Sequence, residues 1–373
     1  MEYTVYPSLI FVQLLLYSLI MTPFLTSLRI KNGRLYYISS DNYKLCIIIL
    51  GVLFSVFASY DGDWYHYIPA IKLNYFHNDP YTHLESSHLW IIKNLSFGSY
   101  LWWRLLVWGT SYWFIWLSLK RIGQDNLLTW TCIMAVCLIQ LCISRTTLGI
   151  ALLFYGFVCI LKPKLKVWSA LKGIILMICS LALHKSLFIY FMASIIALLH
   201  FRKWMLIMLL CLLPIVINIF TNILAMYFFA GELSHSAEGY LSGTTIKNGI
   251  GINLYIYSLY SILLIIFCLF YKFQNIKTYN KHSFLENLWQ NNYNIYFIYL
   301  ITWGALTVNQ IGNNDISLRI LWGIYIPSSI LISCMIRNNY KTSLNIILVL
   351  GLFISGFYRL LYAYYLQNIG SGV

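Results

Sequence analysis

Along most of this chain apolar side chains do not alternate with polar ones. They run together for stretches of roughly 17–25 residues before a polar break. Such runs are too long for barrel strands, and in lipid a helix satisfies every backbone N–H and C=O within one segment. The pattern predicts spans near 8–28, 45–60, 98–119, 127–144, 146–161, 168–184, 186–200, 204–223, 253–271, 293–310, 319–336 and 343–366. Most connections between them are short, as a packed bundle requires. The expected fold is all-α: a polytopic integral membrane helical bundle of about 12 transmembrane helices, forming a single transmembrane domain over residues 1–373. The first run follows Glu2 and no basic stretch, so it reads as a span and not as a cleaved leader.

Composition agrees: 60% of residues are hydrophobic and 10% charged, and the mean hydropathy is +0.72. Charge sets the orientation. With the N-terminus facing away from the cytoplasm, 17 of the 25 Lys and Arg residues fall on the cytoplasmic side and 8 on the other. That is the positive-inside bias, so the net charge of +14 describes insertion and contact with the anionic lipid bilayer, and no nucleic acid is implied. The nine cysteines lie in or at the ends of apolar runs without a Cys-x-x-Cys pair. They read as small core residues, and neither a disulfide, a metal site nor a cofactor follows from them.

Two outer segments are long, 61–97 and 224–252. The first carries Asp61, Asp63, Asp79 and Glu85, four of the eleven acidic residues, directly after the uncharged stretch Leu45 to Ser59. Within it Trp64 to Phe76 and Leu89 to Leu95 read as short interfacial helices, anchored by Trp64, Tyr65, Tyr67, Tyr75 and Trp90. The second holds Glu232, His235, Glu238 and a Gly/Ser/Thr-rich piece that suits a lid or a plain loop. In the third span, Trp102 and Trp103 near one end and Trp113 and Trp116 near the other read as interfacial anchors.

Arg104, Arg145, Lys185, Arg319 and Arg359 lie within or beside apolar segments on the outer side. Charges at such depth are costly and face the protein interior or a water-filled cavity unless they snorkel. Snorkelling is the reading for Arg359 and stays open for Arg104. Clustered cations suit a multiply anionic ligand, and Arg grips phosphate oxygens through its planar fork. An acid-rich rim beside a cationic pocket at the membrane edge fits a lipid tail, a phosphate bridge and a hydroxylated head. A polyprenyl-diphosphate-linked sugar has all three. Glycosyl transfer from it needs a group to take the acceptor proton and positive charge to stabilise the departing diphosphate.

Two local patterns bear on this. Asp61-Gly62-Asp63-Trp64-Tyr65 sets two acids at i, i+2 beside aromatic rings. The pair can share a divalent metal, supply a base with a supporting acceptor, or cap a turn. The second pattern, Arg145-Thr146-Thr147-Leu148-Gly149, is followed one hairpin later by His184-Lys185-Ser186. Arg145 and His184 are 39 residues apart, one span inward and one outward, so both return to the outer face.

These residues resemble the EpsG-like group of Wzy-type polysaccharide polymerases over roughly residues 45–200. The matches are Asp61-Gly62-Asp63-Trp64, Glu85, Arg145 and His184-x-Ser186; Thr146 stands where that group usually has Gln, Gly149 where it has Ala, and Ser86 where Pro often follows the Glu. The resemblance implies a GT-C-like architecture with interfacial helices in the first outer loop. It also implies transfer of a growing glycan from one undecaprenyl diphosphate to another repeat unit, outside the cytoplasm and without a required metal or cofactor. It assigns Arg145 as a diphosphate clamp, His184 as base or phosphate donor, and Asp61 or Asp63 as the group that orients or deprotonates the acceptor. Glu85 is then a sugar partner, with Trp64, Lys185, Ser186, Arg319 and Arg104 around the substrate. The implied setting is the bacterial inner membrane with the site facing the periplasm, beside a flippase and a chain-length-determinant protein. Competing readings are a glycosyltransferase using a polyprenyl monophosphate donor, a lipid-linked glycan flippase or transporter, and a membrane acyltransferase.

Overall fold

The structure is a computed structural model; it describes residues 7–31, 34–37, 41–57, 86–137, 144–161, 167–184, 187–198, 259, 261–264, 294, 296–306, 320–337, 347 and 351. The chain divides into two compact units: residues 1–76, 86–184 and 329–373 form the first, and 77–85 with 185–328 the second.

In the first unit α1 (Pro7–Ser27) leads into the strands β1 (Leu28–Lys31) and β2 (Arg34–Tyr37), and a 3-10 turn, Asp41–Tyr43, opens α2 (Lys44–Phe57). Next come α3 (Ser86–Leu95), α4 (Tyr100–Arg121), α5 (Leu127–Cys137), α6 (Ser144–Ile160) and α7 (Val167–Leu183). The expected spans 8–28, 98–119, 146–161 and 168–184 therefore fall on helices, as do 45–60 as far as Phe57 and 127–144 as far as Cys137, beyond which their residues up to 60 and 143 lie outside the described ones; Leu89 to Leu95 falls within α3. The antiparallel β1–β2 hairpin departs from a purely helical reading. In the second unit the described elements are α8 (Phe188–Leu198), helical residues 296–306 and a 3-10 turn, Trp322–Ile324. There the Tyr190 ring lies against Gly323 so closely that a Cβ on that glycine would sit 2.6 Å from Tyr190 Cδ1. Helix α9 (Tyr325–Arg337) follows that turn. The expected spans 204–223 and 343–366, most of 253–271, and the outer loop 224–252 lie outside the described residues.

Caps show why the α4 boundaries fall where they do. The Ser99 hydroxyl accepts from the Trp102 amide at 3.3 Å and opens the helix. At the other end Gly123, with φ 69°, supplies the left-handed residue that lets Gln124 N–H reach Leu119 O at 2.9 Å. Asn126 then caps α5 by accepting from Thr129 N–H at 3.0 Å. This corner holds Asp125 in place. Its Oδ2 pairs with Lys44 Nζ at 2.8 Å, and its carboxylate accepts from the indoles of Trp116 (3.2 Å) and Trp130 (3.0 Å). The start of α2, the end of α4 and the start of α5 thus meet at one end of the unit. Arg121 donates to Ser169 Oγ, which donates to Cys159 O at 2.9 Å, so the end of α6 and the start of α7 join them there.

The outward faces of these helices are largely apolar. Exposed positions on α7 include Val167, Trp168, Leu171, Ile174, Ile175 and Ile178 beside Lys172, Cys179 and Ala182, while Gly173, Met177, Ser180 and Leu183 are buried. On α4, Leu101, Trp102, Leu105 and Trp113 are exposed, and Arg104, Ser111 and Ser118 are buried beside Trp103, Val107, Trp108, Tyr112, Ile115 and Leu119. Large apolar side chains exposed outside, with small and polar residues admitted to an apolar interior, are what packing in hydrocarbon selects. Residues 329–337 join α5 in the same manner, through Thr129 Oγ1 to Ser333 Oγ at 2.9 Å and Ser329 Oγ to Cys132 O at 3.3 Å. Among the described residues no helix is both long and apolar enough to cross a membrane. With 17 residues each, α6 and α7 reach about 26 Å, short of the ~30 Å hydrocarbon layer.

Two sequence expectations are corrected. Trp103 is not an interfacial anchor: it is fully buried and stacks on Tyr100 with centroids 5.8 Å apart. Nor are all the cysteines in the core: Cys132, Cys159 and Cys334 are buried, but Cys46 and Cys179 are exposed.

Candidate functional site

The α6–α7 hairpin fixes the level of its two chemically interesting ends. Gly156 and Gly173 face each other so closely that a Cβ on Gly156 would lie 2.7 Å from Gly173 O, and one on Gly173 would lie 2.5 Å from Gly156 O. Only residues without a side chain allow that approach, so these glycines mark the crossing point. Arg145 precedes Gly156 by eleven residues and His184 follows Gly173 by eleven. At 1.5 Å per residue each stands about 16 Å from the crossing, toward the same end of the hairpin. Helical geometry extends to His184, whose N–H bonds to Ser180 O at 3.1 Å.

Helix α4 sets a third residue of interest at this level. The Phe114 ring lies 5.6 Å from that of Tyr155, and the Arg121–Ser169–Cys159 chain shows that α4 and α6 run in the same direction. Arg104 precedes Phe114 by ten residues and Arg145 precedes Tyr155 by ten. Arg104, Arg145 and His184 therefore stand at one end of the unit, opposite the Asp125 corner.

Arg104 is 5% exposed, which decides between snorkelling and an inward setting in favour of the latter. Its Nη2 donates to Ser55 O at 2.6 Å, and its guanidinium lies over the Tyr100 ring, 5.7 Å from the centroid. Ser55 sits in the last turn of α2, where carbonyls lack intrahelical donors, so Arg104 closes that helix. Ser55 Oγ also meets Tyr112 OH at 3.2 Å, and the Tyr112 ring stacks on Trp130 with centroids 6.3 Å apart. The end of α2 is thereby pinned to α4 at two points, Arg104 and Tyr112, about two turns apart on α4.

Arg145 is the second residue of α6, followed by the buried Thr146 and Thr147. A cation there opposes the helix dipole and does nothing for helix stability. The first-turn amides of α6 lack intrahelical acceptors at that end. His184 is half-buried at the C-terminal end of α7.

Of the remaining expected site residues, Asp61, Asp63, Trp64, Glu85, Lys185, Ser186 and Arg319 lie outside the described residues. The residue that sequence reasoning overlooked is Asp125. A carboxylate at a helix junction between Trp116 and Trp130 was the available signal, and its position opposite the cationic end gives it a structural role.

No curated protein and no solved structure matches this chain. A family model does: the one described as EpsG family matches residues 42–369, which takes in the elements from α2 onward. Proteins of that family are membrane proteins associated with glycosyltransferase-like polymerisation of polysaccharide. With almost the whole chain covered by that match, the protein belongs to the EpsG family.

Proposed function

We propose that this protein polymerises undecaprenyl-diphosphate-linked oligosaccharide repeat units at the outer face of the bacterial inner membrane, through a bundle of about twelve membrane-spanning helices. The observation that carries the reading is the common level of Arg104, Arg145 and His184, at the end of the unit where α2 terminates. Asp61 follows Phe57, the last residue of α2, by four residues, so the chain itself tethers the first acid to that end.

In the proposed reaction an acceptor-sugar hydroxyl oxygen attacks the anomeric carbon of the growing glycan. The bond from that carbon to the undecaprenyl diphosphate oxygen breaks, and the diphosphate leaves with the electron pair. Asp61, Asp63 or His184 takes the hydroxyl proton, working by general-base catalysis. The Arg145 fork and the first-turn amides of α6 hold the developing charge on the diphosphate. Glu85 and Trp64 hold the acceptor sugar through a hydrogen bond and a ring face, while Lys185, Ser186, Arg319 and Arg104 complete the surroundings of the diphosphate. No metal or cofactor enters these steps. A flippase that delivers the units and a chain-length-determinant protein are the partners this reaction calls for.

The test is the lipid-linked glycan profile of cells with and without the protein. Accumulation of single undecaprenyl-linked units on its loss is the expected result; an unchanged profile overturns the proposal. Purified protein given one lipid-linked donor should produce a ladder. An increment of one sugar would instead identify a transferase that uses a polyprenyl monophosphate donor.

A further inference from the structure

Helix α1 runs into β1 with no linker between Ser27 and Leu28. The register pairs Leu28 with Tyr37, Arg29 with Tyr36, Ile30 with Leu35 and Lys31 with Arg34. Directly paired positions share a face, as do positions two apart on one strand. One face of the hairpin therefore holds positions 29, 31, 34 and 36, which are Arg29, Lys31, Arg34 and Tyr36. The other holds 28, 30, 35 and 37, which are Leu28, Ile30, Leu35 and Tyr37. The division is complete: every cation is on one face, every aliphatic residue on the other, and no acid occurs between Ser27 and Asp41. A two-stranded hairpin is marginal by itself in water, so an apolar face of this kind requires a cover.

Its place in the fold points to that cover. The hairpin and the short turn after it join the end of α1 to Lys44 at the start of α2, and Lys44 is bound to Asp125. It therefore lies at the end of the unit that also carries Lys120, Arg121 and Lys172. Exposed Leu15, Leu19 and Leu25 run along α1 toward it. Arg29 is exposed and donates to Thr26 O at 2.8 Å, closing the end of α1.

We propose that this hairpin docks on anionic phospholipid of the membrane in which the protein stands. Its apolar positions enter the acyl boundary and its cationic positions meet headgroup phosphates. A bilayer offers an apolar layer and an anionic surface within one short depth, matching both faces at once. A soluble anion matches only the cationic face.

The experiment uses the full chain in nanodiscs of phosphatidylcholine alone or mixed with phosphatidylglycerol. Trypsin cleavage after Arg29, Lys31 and Arg34 is measured relative to cleavage elsewhere in the same discs. Each cation near an anionic surface shifts the docked population roughly fivefold, so three give on the order of a hundredfold. Cleavage in the phosphatidylglycerol discs should slow by about tenfold or more, and high salt should restore it. A Leu28→Asn, Ile30→Asn variant keeps the cleavage sites and should lose the protection. Equal rates in both disc types overturn the proposal, and that comparison needs only the wild-type protein. So does undiminished protection of the variant, or equal protection by inorganic diphosphate in phosphatidylcholine discs, which would assign the face to a soluble anion.

Discussion

A guanidinium inside a helical bundle is tolerable only with acceptors and rings arranged around it, and Arg104 has a backbone carbonyl and an aromatic face within reach. Its removal takes the donor from Ser55 O, so Arg104→Ala should cost about 2 kcal/mol of stability, read as a lower melting temperature of the solubilised protein. Arg145 differs in kind, because its charge opposes the dipole of the helix it begins. Arg145→Ala should leave membrane insertion and melting temperature intact while lowering turnover on the order of a hundredfold, read as loss of long glycan chains. Wild-type chain lengths in that variant would remove Arg145 from the mechanism. Asp125 supplies the contrasting case. Asp125→Ala strands two indole N–H groups and the Lys44 ammonium, at about 3 kcal/mol, yet the specific activity of the surviving folded protein should be unchanged. A loss of activity at full folding would place Asp125 in the site after all.

At the scale of elements, the α6–α7 crossing is the most sensitive joint. A methyl group at Gly173 meets the Gly156 carbonyl oxygen, which is backbone and cannot turn aside. Gly173→Ala should therefore destabilise by about 1–3 kcal/mol. Because the crossing sets the level of Arg145 against His184, activity should fall at temperatures where the variant is still folded. Gly109, in the middle of α4, faces open space where an added methyl group would stand, and Gly109→Ala should be neutral or stabilising by about 0.5–1 kcal/mol. Melting curves of the two variants test this directly: the same substitution should act with opposite signs. Among the elements, α1, α2, α4, α6 and α7 were legible as apolar runs. The β1–β2 hairpin was not, because Leu28 to Lys31 alternates for only four residues and sits among basic residues that read as a loop.

For the whole molecule, the distribution of charge makes the sharpest claim. The proposed mechanism requires the segment holding Asp63 and the α7 end holding His184 to open to the same non-cytoplasmic compartment. Tag-accessibility labelling in intact cells should find both reachable from outside, and labelling from opposite sides would end that mechanism. The exposed apolar faces of α4 and α7 add that solubilisation should require a detergent belt around their leucines, isoleucines and tryptophans.

Spacing along a helix is a local property, set at 1.5 Å per residue by hydrogen bonds four residues apart. The order of residues was therefore enough to establish the helical class, the helices α1, α2 and α4 to α7 among the described residues, and the depth at which Arg104, Arg145 and His184 fall along their own helices. Which helix lies beside which depends on side chains far apart in the chain, and no periodicity encodes it. It took the folded arrangement to show that Gly156 meets Gly173, that Arg104 turns inward to close α2, that Trp103 belongs to the core, and that Asp125 ties the opposite end together. Those contacts bring the separately placed Arg104, Arg145 and His184 to one end.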